Sequence, residues 1–387
     1  MKITAVEAIA VDGGSRNWVF VRVSTDEGIV GIGEATMEWH TNSVLAVVQE
    51  IGKSLIDEDP RRIEHLWQKM YRGRRFRGGP VVMSAVSGLE VALWDILGKA
   101  LNAPIYQLLG GACRDVVPVY ANAPFGTSRE ELVEGALGVQ ALGFDAVKFC
   151  PIETLREVDD PRIVREAAET VGAVRDAVGT EMKLAIDVAC RLGPVMAIQF
   201  ARAVEEYDIW FIEEPVRAEN PEALALVARS TSVALAAGEQ LLTRWGFREL
   251  LALKGVALIQ PDVAHCGGIA ETRRVAAMAE VDYVGLAPHN PLSPVNTAAS
   301  AHVAMTTPNF IVLEYKVESD LPWLPDASVP WRDTVVDAPL QLNDSALTVT
   351  SAPGLGIELD WEACLAHPAQ ERQLSLPLQR DGAIAEY

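Results

Sequence analysis

The segment MKLAIDVACRLGPVMAIQFARAVEEYDIWFIEEP, residues 182–215, decides how the rest of the chain reads. It opens on a short apolar run, Met182 to Ile186, passes through a loop into the amphipathic stretch Pro194 to Glu206, and closes on a second run, Ile209 to Ile212. Runs this short and this apolar fit strands buried on both faces, with a crossover helix between them. The same unit recurs at roughly 25-residue intervals, with further runs at Val117–Ala121, Ala146–Phe149, Val233–Ala237, Val256–Gln260, Tyr283–Ala287 and Phe310–Leu313. Eight such strands predict a closed α/β barrel, because an open doubly wound sheet would repeat less regularly.

Outside this repeat the pattern changes. Ile3 to Ala10 alternates, Phe20 to Ser24 is rich in β-formers, and Thr25-Asp-Glu-Gly28 is a turn leading into Ile29 to Glu34. Helical spacing follows over Thr41–Leu55, Pro60–Tyr71 and Pro80–Leu101, with Pro60 and Pro80 suited to first-turn positions. Three parts are therefore predicted: an α+β unit over 1–115, the barrel over 116–330, and a segment over 331–387 that leaves the repeat and packs elsewhere.

The chain of 387 residues is 49% hydrophobic and 22% charged, so it has ample apolar surface to bury. Its formal charge of −20 repels phosphate backbones and anionic lipid, which leaves nucleic acid and membranes as poor partners. The five cysteines, Cys113, Cys150, Cys190, Cys266 and Cys364, contain no C-x-x-C pair and predict neither a disulfide framework nor a zinc site. The alternating start with Asp12 lacks the apolar core of a signal peptide, so a cytoplasmic location is expected.

The chemistry is concentrated at the strand ends. Asp187, Glu213 and Glu239 follow the third, fourth and fifth strands at equal intervals of 26 residues, which sets them at one height on the barrel mouth. Any one of them alone reads as a solvated loop acid. Three in register repel one another unless a hard dication lies between them, and oxygen ligation suits Mg2+. Asp262 after strand six and His289 after strand seven form a pair in which the acid fixes the imidazole tautomer and raises its basicity. Lys148 near the end of strand two is suited to neutralising a substrate carboxylate, and strand eight brings Glu314.

These residues resemble the enolase superfamily, and within it the mandelate racemase subgroup with its acid-sugar dehydratases of the D-galactonate type. The resemblance runs through Thr25-Asp-Glu-Gly28, Gly31-Ile-Gly-Glu34, Gly78-Gly-Pro80, Ala92-Leu-Trp-Asp-Ile96, Phe211-Ile-Glu-Glu-Pro215, Ala236-Ala-Gly-Glu239, Gln260-Pro-Asp262, Gly267-Gly-Ile269, Ala287-Pro-His289 and Pro353-Gly-Leu-Gly356. It implies a modified barrel of the (β/α)7β type capped by an α+β domain built from the N-terminal region and the tail. It further implies Mg2+ on Asp187, Glu213 and Glu239, acid/base chemistry at Asp262 and His289, a carboxylate contact at Lys148, and a hydrogen bond from Glu314 to the enolate form. The resemblance also implies a small acid sugar as substrate, closed over by loops around Asp12–Val19 and Glu34–Asn42. Trp18, Trp39, His40 and Arg72 are substrate-contact candidates by position, as are Cys150 and Arg191. A homo-oligomer is also expected.

Two departures matter. The related dehydratases place a His two residues after the first metal ligand, where this chain has Ala189, and the racemases place a Lys two after the first, where it has Cys150. Cys150 reads either as an inert buried thiol or as a thiolate favoured by nearby cations. One histidine on one face can both take the α-proton and return it to a leaving β-hydroxyl, so dehydration survives these losses. Cycloisomerisation or epimerisation through the same enolate, and a barrel that binds a sugar acid without turning it over, stay open at this point.

Overall fold

A computed structural model of the chain describes residues 1–122, 128–317, 335–337, 340–372, 376–379 and 381–385. Strands β1 (Ile3–Gly13), β2 (Arg16–Thr25) and β3 (Val30–Glu34) form an antiparallel sheet. The segment expected to be a loop, Asp12 to Val19, is mostly ladder: pairing runs through Val11↔Trp18 to Gly13↔Arg16 and leaves only Gly14 and Ser15 to turn. Burial of Val11 and Trp18 explains this, since an apolar pair facing the core holds the two strands in register to the hairpin tip.

Three helices follow, α1 (Thr41–Lys53), α2 (Ile63–Arg72) and α3 (Pro80–Leu101). Pro80 opens α3 as expected, whereas Pro60 does not open α2, because the Asp59 carboxylate accepts the Arg61 N–H at 3.0 Å and holds a separate turn ahead of Ile63. Gly31 and Gly33 let β3 lie directly on α3: a Cβ on either would run into the carbonyls of Ala92 and Gly88. Helix α3 is long and apolar enough to cross a membrane, but most of it is buried here as a core helix.

The repeat forms β4 (Val117–Asn122), β5 (Ala146–Phe149), β6 (Lys183–Asp187), β7 (Phe211–Glu213), β8 (Leu235–Ala237), β9 (Leu258–Ile259), β10 (Gly285–Leu286) and β11 (Leu313–Lys316), all parallel. Pairing of β11 with β4 and a bridge between Leu286 and Phe310 close the ring. The eighth strand starts later than the apolar run suggested, since Phe310 makes only that bridge and the ladder begins at Leu313. Tyr120, Ala146, Ala185, Phe211, Ala236, Leu258, Ala287 and Val312 fill the barrel with a mixture of large and small side chains, so function is left to the C-terminal mouth.

The tail divides its packing. The hairpin Gln341–Asn343/Ala346–Thr348 pairs with β4 through Leu347↔Val117 and extends the barrel sheet, contrary to the expectation that the whole tail joins the N-terminal unit. Buried Leu347 explains this, as it needs apolar cover that Val117 provides. Farther on, Leu355 donates its N–H to Asp95 of α3 at 2.9 Å, and Pro368 bridges Val11 of β1. The expected boundary at 330/331 lies outside the described residues.

Candidate active site at the barrel mouth

Asp187 and Glu213 are direct register partners on β6 and β7, and Glu239 stands two residues beyond the end of β8. The backbone coils sharply after β6 and β7: Ala189, Cys190 and Glu214 have φ of 49°, 62° and 40°, a region costly for residues with a side chain. That coil lets Ala189 donate its N–H to Asp187 at 2.8 Å and turns Arg191 onto Cys150, with Nη1 3.1 Å from Sγ.

Lys148 on β5 is buried, and its ammonium touches Glu213, lies 3.1 Å from Glu314 and 3.5 Å from Asp187, and sits 5.5 Å from the centre of the Tyr120 ring. Burial works against its charge, yet Glu213 and Glu314 hold the ammonium well above the usual lysine range. Gln260 donates to the second oxygen of Glu213. Burial, reinforced by the surrounding carboxylates, pushes Glu213 and Glu239 upward. Among the described residues no three His, Cys, Asp or Glu side chains are drawn into one cluster in this arrangement. Lys148 engages Asp187 and Glu213, and His289 faces Glu239.

His289 places Nδ1 2.8 Å from Asp262 and Nε2 3.6 Å from Glu239. Asp262 caps the short helix that follows it, accepting the Ala264 N–H at 2.8 Å on Oδ1, which aims Oδ2 at the imidazole. Burial opposes protonation of His289, but Glu239, Glu314 and Asp262 raise it to about 10. Glu314 takes hydrogen bonds from Asn122 and from the Asn290 N–H, and these with Lys148 and His289 hold it ionised despite burial. Its carboxylate therefore stands as an acceptor beside the Lys148 ammonium.

Other candidates fall elsewhere. Trp18 is fully buried in the strand core, and this replaces its expected substrate contact. Burial raises the Cys150 thiol, with Arg191 opposing, so of the two readings the neutral thiol holds. Arg72 is exposed at the end of α2, with no hydrogen bond or ion pair to the mouth among the described residues. His40 and Trp39 are exposed and line a cleft of about 770 Å³ with Arg16, Glu38, Gln370 and Arg372.

Several residues escaped the sequence. Asn122 pairs in register with Lys148, the same 26-residue interval that relates the acids, so spacing alone contained it. His265, three residues after Asp262, bonds Ser84 of α3 at 2.8 Å and lies 3.8 Å from the Asp262 carboxylate. Asn290 and Asn296 follow His289 in a segment whose polar residues carry no periodic signal.

Residues 7–110 match the mandelate racemase/muconate lactonizing enzyme N-terminal domain, and residues 131–363 match the enolase C-terminal domain-like family. The chain is 39% identical over 373 residues to a D-galactonate dehydratase of Cronobacter sakazakii and 38% identical to one of Klebsiella pneumoniae, with 96% of both chains covered each time. An enolase from Agrobacterium radiobacter, offered as a galactarate dehydratase and crystallised with Na and L-malate, is 33% identical over the whole of both chains with a TM-score of 0.92. A mandelate racemase/muconate lactonizing enzyme-like protein from Rubrobacter xylanophilus is 38% identical with a TM-score of 0.87, over 95% of this chain and 98% of that one.

Proposed function

The chain belongs to the mandelate racemase/muconate lactonizing enzyme family of the enolase superfamily, and from that membership we propose that it is a magnesium-dependent dehydratase of acid sugars. It removes the proton alpha to the carboxylate and expels the β-hydroxyl, yielding a 2-keto-3-deoxy acid after tautomerisation. The observation that carries the reading is the Asp262–His289 dyad beside Glu239, on the same rim as Asp187 and Glu213.

The donor set fits a hard dication, since Asp187, Glu213 and Glu239 offer only carboxylate oxygens. The upward shift of Glu213 and Glu239 is the response of buried acids that lack enough positive charge. His289 is tied to the same cluster through Glu239. With Glu239 uncompensated the ring keeps both protons near neutral pH, and a cation on Glu239 removes the largest carboxylate pull on it. When bound, the ion would stabilise charge developing on the substrate carboxylate.

The chain's own groups do the rest. Asp262 accepts a hydrogen bond from the Nδ1–H of His289 and so presents Nε2 to the α-carbon. Lys148, held in place by Glu213 and Glu314, offers its charge to the substrate carboxylate. With Ala189 where a second histidine would stand, His289 both accepts the proton and returns it to the departing hydroxyl in a syn elimination. The cleft between the hairpin tip, Glu38–Ser43 and Ala369–Arg372 offers polar groups for the hydroxyls of the sugar chain.

The test is incubation of the magnesium-loaded protein in D2O with D-galactonate and a panel of other aldonic and aldaric acids. A 2-keto acid trapped by semicarbazide supports dehydration. Deuterium at C2 without keto acid would move the assignment to cycloisomerisation or epimerisation, and neither signal on any acid would remove it.

A further inference from the structure

We propose that Glu34, on the N-terminal sheet, is a positioning residue for the Asp262–His289 dyad and acts through Asn296. The inference rests on the acid/base role assigned to that dyad. Glu34 ends β3, is buried, and takes four hydrogen bonds from neutral donors: Thr36 Oγ1 at 2.6 Å, Ser293 Oγ at 2.5 Å, the Ser293 N–H at 3.4 Å and the Asn296 N–H at 3.1 Å. Three of the four belong to the start of α4 (Pro294–Thr306), whose free N–H groups and dipole favour an anion there. A carboxylate from the N-terminal sheet thus clamps the first turn of a barrel helix.

Asn296 passes that clamp to the site. Its backbone N–H is fixed by Glu34, and its side-chain amide donates to Asp262 Oδ1 at 3.0 Å and to Asn290 Oδ1 at 3.1 Å. Asp262 meets His289 on its other oxygen, and Asn290 donates its N–H to Glu314 at 2.8 Å. One side-chain amide therefore sets the angle of the acid that orients the base, and it also steadies the residue that holds the acceptor beside Lys148. If the first turn of α4 shifts, both change together. Glu90 offers a built-in comparison: it is also a buried carboxylate from the N-terminal unit at a barrel-helix start, bonded to the N–H groups of Ile269 and Ala270 at 2.8 and 2.9 Å, but among the described residues none of its hydrogen bonds reaches the dyad.

The test uses the full magnesium-loaded chain with Glu34→Ala, Glu34→Gln, Asn296→Ala, their double variant, and Glu90→Gln. The first readout needs no substrate. It is the Nδ1–H resonance of His289 in histidine-labelled protein, identified by its loss in His289→Asn. The second is kcat and KM for C2 deuterium exchange. Glu34→Ala and Asn296→Ala are expected to shift the resonance and lower kcat about tenfold or more with KM little changed, as misplaced catalytic groups do. The double variant should be no worse than the poorer single variant, because both act along one path. Glu90→Gln should lower Tm while leaving resonance and kcat in place. The proposal is overturned if the Glu34 variants behave like Glu90→Gln, or if the Glu34 and Asn296 effects multiply. Should Glu34→Ala fail to fold, Glu34→Gln and Ser293→Ala make the same comparison. A protein inert on every acid would defeat the proposed reaction, yet the resonance would still decide the role of Glu34.

Discussion

Asp187 and Glu213 face each other in register on adjacent parallel strands, and one buried ammonium, that of Lys148, is set against both. Lys148 and a protonated His289 together do not balance these two acids with Glu314, Glu239 and Asp262. Magnesium is therefore expected to raise Tm, contributing about 2.7 kcal/mol at a hundred times its Kd. Asp187→Asn, Glu213→Gln and Glu239→Gln should each weaken that rise and remove turnover, as calorimetric titration with Mg2+ and the keto-acid assay would show. Full turnover in a chelator would count against the site.

Lys148→Met is expected to abolish turnover, and its place among carboxylates adds a second effect. Removing one partner of a buried ion pair leaves the others uncompensated, typically at a cost of 3–5 kcal/mol. The variant should melt well below wild type without metal and recover part of the difference with magnesium, in melts run side by side. Unchanged turnover would show that the ammonium takes no part in the chemistry.

The barrel was legible because its strands are short, uniformly apolar and evenly spaced, and the same spacing placed Asp187, Glu213, Asp262 and His289. What escaped was set by contacts between distant segments. Trp18 reads as a loop residue until the register of β1 and β2 carries it into the core. Glu34 belongs to a glycine-rich strand end, and nothing local shows that its acceptors meet the first turn of a helix some 260 residues away. The Asn122 and Asn290 donors that gather on Glu314 come from the first strand of the barrel and the loop after the seventh, which no local pattern joins.

His302 gives a pH dependence with a definite sign. It is fully buried, its Nδ1 accepts the Tyr106 N–H at 3.3 Å, and its Nε2 faces the Leu355 carbonyl at 3.1 Å. Burial pushes it down to about 4 from the usual 6.5. The unfolded chain therefore binds the extra proton between those values, and stability falls as pH drops through the window. The loss by pH 4.5 is on the order of 2–3 kcal/mol from this residue. His302→Gln should lose less stability than wild type between pH 7 and pH 4.5 in paired denaturant titrations. Equal losses would assign the acid sensitivity to other groups.

The sharpest expectation concerns His289. Removal of a general base costs ~10²–10⁴-fold, and a group that serves both proton steps should reach the upper end of that range or pass it. Few substitutes are at hand: Lys148 is held charged by Glu213 and Glu314, burial keeps Cys150 a neutral thiol, and His265 faces Ser84 and Asp262. His289→Asn should therefore abolish both elimination and C2 deuterium exchange while the fold and magnesium binding persist. Asp262→Asn should reduce both steps in parallel, because it removes the acceptor that fixes the Nδ1 proton. Retention of exchange with loss of dehydration in His289→Asn would assign His289 to the acid step alone and shift proton abstraction to the β5 side. Cys150→Ser in the same exchange assay would then show whether that thiol had become the base.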